Sequence, residues 1–503
     1  MNYIVRSKST DKSPIERIFC LAVRLILVAG VIFCESSGRK IFMAAAFLFT
    51  FSVSFFKLAF GNKGFWEVLS GRTETLLCVA AFFGTVVGRG FGVVDIFPEY
   101  DIFLQLLAGV LCTAIGYYIM VALNKPSSKG DIFFTVFSCF AFSCMISGVR
   151  EILEFLADFE LGTNFVHAET LGDDHWFYQL FGKGMTAQIR WGGAQAQQRL
   201  YDTDEDMLLS VFSSLASALV LYTFLRVKNK ELYKSCKKEN KKRRSFTDAV
   251  YDKIWTEKEK MLRDCNTGDF LLWWVVRALM IYAAFNMTSA EAILLSVNLL
   301  GTFSVTLIHL IAPSDSVLGK LSYKVQSLVT LIVFFGSYCG NYIFIYGILP
   351  RYDLFLHFIS GAISIFAGYY LSKAFFEITD KKKAVLSAVF SLSIAGMVMP
   401  IHEVVEFIGD FIWGTDNQGF SWAPTADSFF FKVFGNGVGN TELYYLFDTM
   451  YDMLLAWSMA IISFAALLVY TLKISGNGKE NTELKKILCD KQLTTQENSG
   501  NII

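Results

Sequence analysis

The sequence predicts an all-α, polytopic integral membrane protein of about twelve transmembrane helices, arranged as two parallel six-helix repeats. Three observations lead there. Apolar residues make up 54% of the 503, charged residues only 18%, and the mean hydropathy is +0.44, whereas roughly a quarter of residues are charged in a soluble domain. Apolar stretches recur at the length of about 17–25 residues that crosses a bilayer. And the segment from Phe82 to Tyr118 aligns without a gap with Phe334 to Tyr370, at an offset of 252, with fourteen of 37 positions identical.

In chain order the apolar stretches lie near 18–34, 41–60, 76–97, 102–123, 132–157 and 207–226, and then near 270–287, 290–312, 327–349, 353–376, 384–412 and 447–472. The domain reading follows: 1–226 is a first repeat, 227–268 a basic linker, 269–473 a second repeat, and 474–503 a polar tail. Within the linker, Ser245-x-x-Asp248 is a helix-start pattern, and Phe246, Val250 and Ile254 follow at four-residue spacing. That pattern suits either a solvated tether or an interfacial helix. An even number of spans per repeat makes the repeats parallel.

Lys and Arg crowd every second connection: the amino terminus, 63–72, 125–129, 226–244, 320–324, 381–383 and the tail. The positive-inside rule then places both termini in the cytoplasm of a plasma (inner) membrane, with the long connections 158–205 and 413–446 outside. The first apolar run lacks a small-residue cleavage site and reads as a signal anchor. The ten cysteines show no C-x-x-C spacing, so no structural disulfides are expected. With zero net charge and no recognition motif, the basic runs point to membrane lipids as partners and not to nucleic acid.

The repeat also duplicates acidic residues. Asp101, Glu151, Glu154 and Asp158 stand opposite Asp353, Glu403, Glu406 and Asp410 at the same offset. After a six-residue slip, Asp202 and Asp206 stand opposite Asp448 and Asp452. Glu403, Glu406 and Asp410 fall at i, i+3 and i+7, a stripe on one helical face. Asp353 and His357 share a face one turn apart, as do Asp448 and Asp452. An acidic residue near mid-membrane costs about 2.5–3.5 kcal/mol, so such a set must face water, protons, a cation or one another. Asp448 before Thr449 also suits an ordinary N-cap. Oxygen ligands joined by imidazole suit Mg, Mn, Ca or Zn. The expected divalent-cation ligands are Asp353, His357, Glu403, Glu406 and Asp410, with Asp448 or Asp452 as general base. The first repeat has Gln105 where the second has His357, which marks the second as the complete site. Arg277 and Arg351 are the basic residues that sequence position places nearest to the acids.

The ordered set Asp353-x-x-x-His357-Phe358-x-x-Gly361, Glu403-x-x-Glu406-Phe407 and Asp448-Thr449-x-x-Asp452-Met453 resembles the YjdF-like family of bacterial inner-membrane proteins, which look like single six-helix units. This chain looks like two such units fused. It departs from the family at Phe407, where Trp is usual, at Met450, where Gln is common, and at Gln105-Leu106, where the His-Phe pair is missing. A looser similarity to VanZ-like membrane proteins implies envelope chemistry.

The long outward loops share Trp176-Phe177 with Phe429-Phe430 and Phe181-Gly182-x-Gly184 with Phe434-Gly435-x-Gly437, an aromatic and glycine pattern suited to headgroup depth or to a re-entrant lid. Three readings of function remain open at this level. The first is a cation-dependent pocket on the outer side acting on a lipid or envelope component. The second is a proton- or cation-coupled transporter, and the third a non-catalytic assembly factor.

Overall fold

The computed structural model describes residues 13–34, 37–60, 71–97, 100–123, 129–161, 194–229, 246–287, 289–313, 316–343, 345–349, 352–413 and 447–499, and every regular element among them is helical. The chain begins with α1 (Pro14–Phe33), started by a reciprocal cap in which Ser13 Oγ accepts from the Glu16 N–H while the Glu16 carboxylate accepts from the Ser13 N–H. Then come α2 (Ser37–Phe49), α3 (Ser52–Phe60) and α4 (Gly71–Ala80), which runs into a π-helical stretch, Ala81–Gly90, before the short α5 (Val93–Ile96). Three long helices follow, α6 (Tyr100–Leu123), α7 (Lys129–Leu161) and α8 (Ala194–Lys228).

Helix α9 (Phe246–Asp264) precedes α10 (Thr267–Ala284), α11 (Ser289–Gly301), α12 (Ser304–Ile311) and α13 (Tyr323–Val333). A second π-helical stretch, Phe334–Tyr342, and α14 (Ile345–Ile348) lead to the long helices α15 (Tyr352–Phe375), α16 (Lys381–Trp413) and α17 (Phe447–Ser499).

Seven of these helices are long and apolar enough to cross a membrane: Tyr100–Leu123, Gly130–Ala157, Thr203–Lys228, Thr267–Ala284, Tyr352–Phe375, Lys381–Ile408 and Thr449–Ser475. The protein is thus a multi-pass helical membrane protein, but twelve spans in two six-helix repeats are not what it builds. Apolar run length is blind to helix continuity. The runs at 41–60 and 290–312 break at Thr50-Phe51 and Thr302-Phe303 into pairs of shorter helices. Those at 76–97 and 327–349 divide into α-helix, π-helix and a final short turn. The run at 18–34 lies in α1, which carries Glu16, Arg17 and Arg24 within twenty residues.

Each break is held by an arginine. Arg24 donates from Nε to Thr50 Oγ1 (3.2 Å) and from Nη2 to the Thr50 carbonyl (2.7 Å), with its guanidinium 3.7 Å from the centre of the Phe51 ring. Arg277 repeats the arrangement on Thr302 (3.1 and 2.6 Å) and Phe303 (3.6 Å). A carbonyl freed by a helix break has no water to turn to in an apolar interior, so a side-chain donor must replace the missing N–H. In the first case Arg24 also pairs with Glu74, which accepts from Ser54 Oγ at 3.3 Å. In the second, Gln326 replaces Glu74 and accepts from the Thr306 N–H and Oγ1 at 3.0 and 2.9 Å.

The described residues fall into two compact units, one formed by 1–234 with 396–454 and the other by 235–395 with 455–503. In the first, α6, α7 and α8 pack as a three-helix bundle in which Gly109 lies against Ser210 and Ser213, and Gly116 against Cys139. In the second, Gly361 lies against the Ala456 carbonyl and Gly368 against Ser391, positions related to the first set by the sequence offset. Small residues let membrane helices approach this closely.

Also in the second unit, α9 docks through a buried polar network. Glu257 Oε2 faces His309 Nδ1 at 2.7 Å and accepts from Tyr323 Oη at 3.1 Å, while Lys260 Nζ lies 3.1 Å from His309 Nε2 and donates to the Gly319 carbonyl at 2.5 Å. Burial holds the Lys260 amine below its ordinary range, against the pull of Glu257 and Asp264.

Two outcomes follow from this packing. Gly361→Leu drives a side chain into the Ala456 backbone and is expected to destabilise the protein by about 1–3 kcal/mol, read as a lowered melting temperature in detergent. Glu257→Leu leaves His309 and Tyr323 without their shared acceptor, and faster hydrogen exchange across 246–264 is the expected result.

Candidate functional site

The acids of the first repeat meet where α6, α7 and α8 pack together. Glu151 and Asp206 are buried and Glu154 is half-buried. Each of the three offers an oxygen, and those atoms all lie within 4.8 Å of one another, close enough for one divalent cation. Three carboxylates at that spacing in an apolar bundle repel strongly, and the sequence supplies the remedy on the same helix. Arg150, between α6 and α8 on α7, donates from Nη2 to Glu151 Oε1 and, at 3.0 Å, to Asp206 Oδ2.

Gln105 ties α6 to the same centre. Its Nε2 donates to Asp206 Oδ2 and, over a long 3.4 Å, to Asp101 Oδ2, while its Oε1 accepts from Ser210 Oγ at 3.4 Å. A primary amide can donate and accept at once, which is what a position between an acid and a hydroxyl demands. A cation entering here would have to displace a guanidinium that already occupies two of the three carboxylates.

The second repeat keeps the acids and differs at two neighbours, with His357 for Gln105 and His402 for Arg150. Asp353 and His357 share a face of α15, with Nε2 and Oδ2 3.7 Å apart and the imidazole buried. On α16, Glu403 is buried and Glu406 half-buried, and His402 Nε2 lies 3.2 Å from Glu406 Oε1. Asp452 is buried on α17. The side chains of Asp158, Asp202, Asp410 and Asp448 lie outside the described residues, as do the aromatic and glycine motifs at 176–184 and 429–437.

Arg150 is the residue that sequence reasoning missed. Arg277, one of the two cations singled out from sequence, is engaged with Thr302 instead, and Arg351 lies outside the described residues. The signal for Arg150 was present in the repeat: at an offset of 252 it stands opposite His402, as Gln105 stands opposite His357. Arg150 has a guanidinium, which offers no lone pair to a metal, where His402 has an imidazole, and Gln105 has a neutral amide where His357 has a titratable ring.

Residues 269–473 match a family described as "Predicted membrane protein (DUF2238)". The matched stretch takes in Asp353, His357, Glu403, Glu406 and Asp452 and leaves out the first repeat and α9. No significant match was found among curated proteins or among solved structures.

The role of Arg150 as a counter-charge has a measurable consequence. Arg150→Gln leaves Glu151 and Asp206 uncompensated and is expected to cost about 3–5 kcal/mol, the usual penalty for stranding one partner of a buried pair. The double variant with Asp206→Asn should recover a large part of the lost melting temperature.

Proposed function

We propose that the second repeat holds a divalent cation through Asp353, His357, Glu403, Glu406 and Asp410 on the extracytoplasmic side of the plasma membrane, and acts there on a lipid or envelope component. One observation carries this reading. In the first repeat a guanidinium pairs with two of the acids, Glu151 and Asp206, whereas the position that supplies it, 150, is a histidine at 402. The second repeat therefore keeps the carboxylates and carries imidazoles, His357 and His402, at the positions of Gln105 and Arg150. Neutral imidazole beside carboxylates completes a ligand set that guanidinium cannot.

A cation there would polarise a phosphoryl or carbonyl oxygen or activate water. In this reading Asp448 or Asp452, opening α17, serves as general base. The resemblance to YjdF-like units supports a self-sufficient second repeat, and the basic connections support cytoplasmic termini. The first repeat is then a relative of the site that carries its own counter-charge.

A second reading, proton- or cation-coupled transport, draws on a different contact. Gly148 and Pro400, counterparts at the 252 offset, pack against each other: a Cβ on Gly148 would meet Pro400 Cγ at 3.2 Å. That contact brings α7 and α16 together one turn before Glu151 and Glu403, as acids lining a common path would require.

Metal content separates these readings. The intact protein in nanodiscs is expected to carry close to one equivalent of divalent metal by mass spectrometry. His357→Ala and Glu403→Gln should lose it, and Glu151→Gln should retain it. A folded wild-type protein without metal after reconstitution with Mg, Mn, Ca and Zn in turn would sink the cation-site reading and favour transport.

A further inference from the structure

Beside the bundle that carries Arg150 lies a half-open cavity of about 370 Å³, within the size range of small-molecule sites. Its two ends differ in chemistry. Asp101, Arg150 and Glu154 line one part, and from Asp101 the wall continues along one face of α6 through Leu104, Leu107 and Leu111. Ten residues of helix separate Asp101 from Leu111, about 15 Å. Another part of the wall includes Gly84, in the π-helical stretch, where an added Cβ would meet no atom within 4 Å. An amphiphile could lie here with its head among the charges and a chain along the leucines.

The charges also state which head fits. Among the described residues Arg150 uses only Nη2 for hydrogen bonds, which leaves the donors of Nη1. Asp101 accepts only the long bond from Gln105. The cavity thus presents a guanidinium with donors to spare beside a carboxylate, that of Asp101, able to take more donors. A phosphate fits the first and a primary ammonium the second, since charge-assisted bonds to planar guanidinium and to carboxylate are the strong ones. We propose that this cavity is a binding site for a membrane phospholipid whose headgroup joins a phosphate to a primary ammonium, that is, of the phosphatidylethanolamine class. This site is separate from the second-repeat cation site and stands whether or not a metal binds there.

Retention of lipid by the purified full-length protein tests the proposal. The protein is exchanged into micelles containing equal amounts of phosphatidylethanolamine, phosphatidylcholine and phosphatidylglycerol, and bound lipid is read by native mass spectrometry. The expected result is roughly tenfold preference for phosphatidylethanolamine, because choline has no N–H to donate and glycerol no positive charge. Gly84→Phe fills the cavity from one wall and Leu107→Trp from the other. Whichever of these keeps the wild-type melting temperature should lose the preference. Equal retention of the three lipids by the wild type, or an undiminished preference in a folded cavity-filling variant, would overturn the proposal.

Discussion

Charge compensation inside an apolar bundle is the constraint on which the rest of this structure depends. Four acids of the first repeat, Asp101, Glu151, Glu154 and Asp206, come from three packed helices, and such a set is untenable beside hydrocarbon unless something opposes it. Arg150 does so from within the same helix as two of them. Because the counter-charge is a side chain, two of the four acids are paired from within the bundle itself. At the equivalent place the second repeat carries His402, whose Nε2 lies 3.2 Å from Glu406 Oε1.

The same economy governs the backbone. Where α2 gives way to α3, and α11 to α12, carbonyl groups leave their helical partners, and an arginine from the preceding long helix replaces the lost donors. The two clamps share a threonine, an aromatic ring and geometry to within a few tenths of an ångström. They differ in what neutralises the arginine: Glu74 in one case, while Gln326, turned towards Thr306, stands at that position in the other. Polar groups at membrane depth are here structural fixtures, built into breaks that hydropathy alone passes over.

That explains how much could be read in advance. The class of protein, the seven long helices and the acids at Glu151, Glu154 and Asp206 were legible, because composition, run length and helical periodicity are properties of short windows. The pairing of Asp353 with His357 was legible for the same reason. The count of twelve spans was not, since TFSV at Thr50 and Thr302 is apolar enough to read as continuous helix and only tertiary donors show why it stops. Arg150 was overlooked because attention followed residues that the two repeats share. The informative positions were those at which they differ.

Gly148 and Pro400 are counterparts in the repeat, and each is the other's packing neighbour. Copies of a gene usually become free to diverge once duplicated, one keeping the ancestral role while the other drifts. Here a bulky residue at either position would press on the helix that bears the other copy's acids. The helix of the arginine-bearing copy is therefore part of the mould that shapes its histidine-bearing relative, and a change of size at Gly148 is felt in both copies at once.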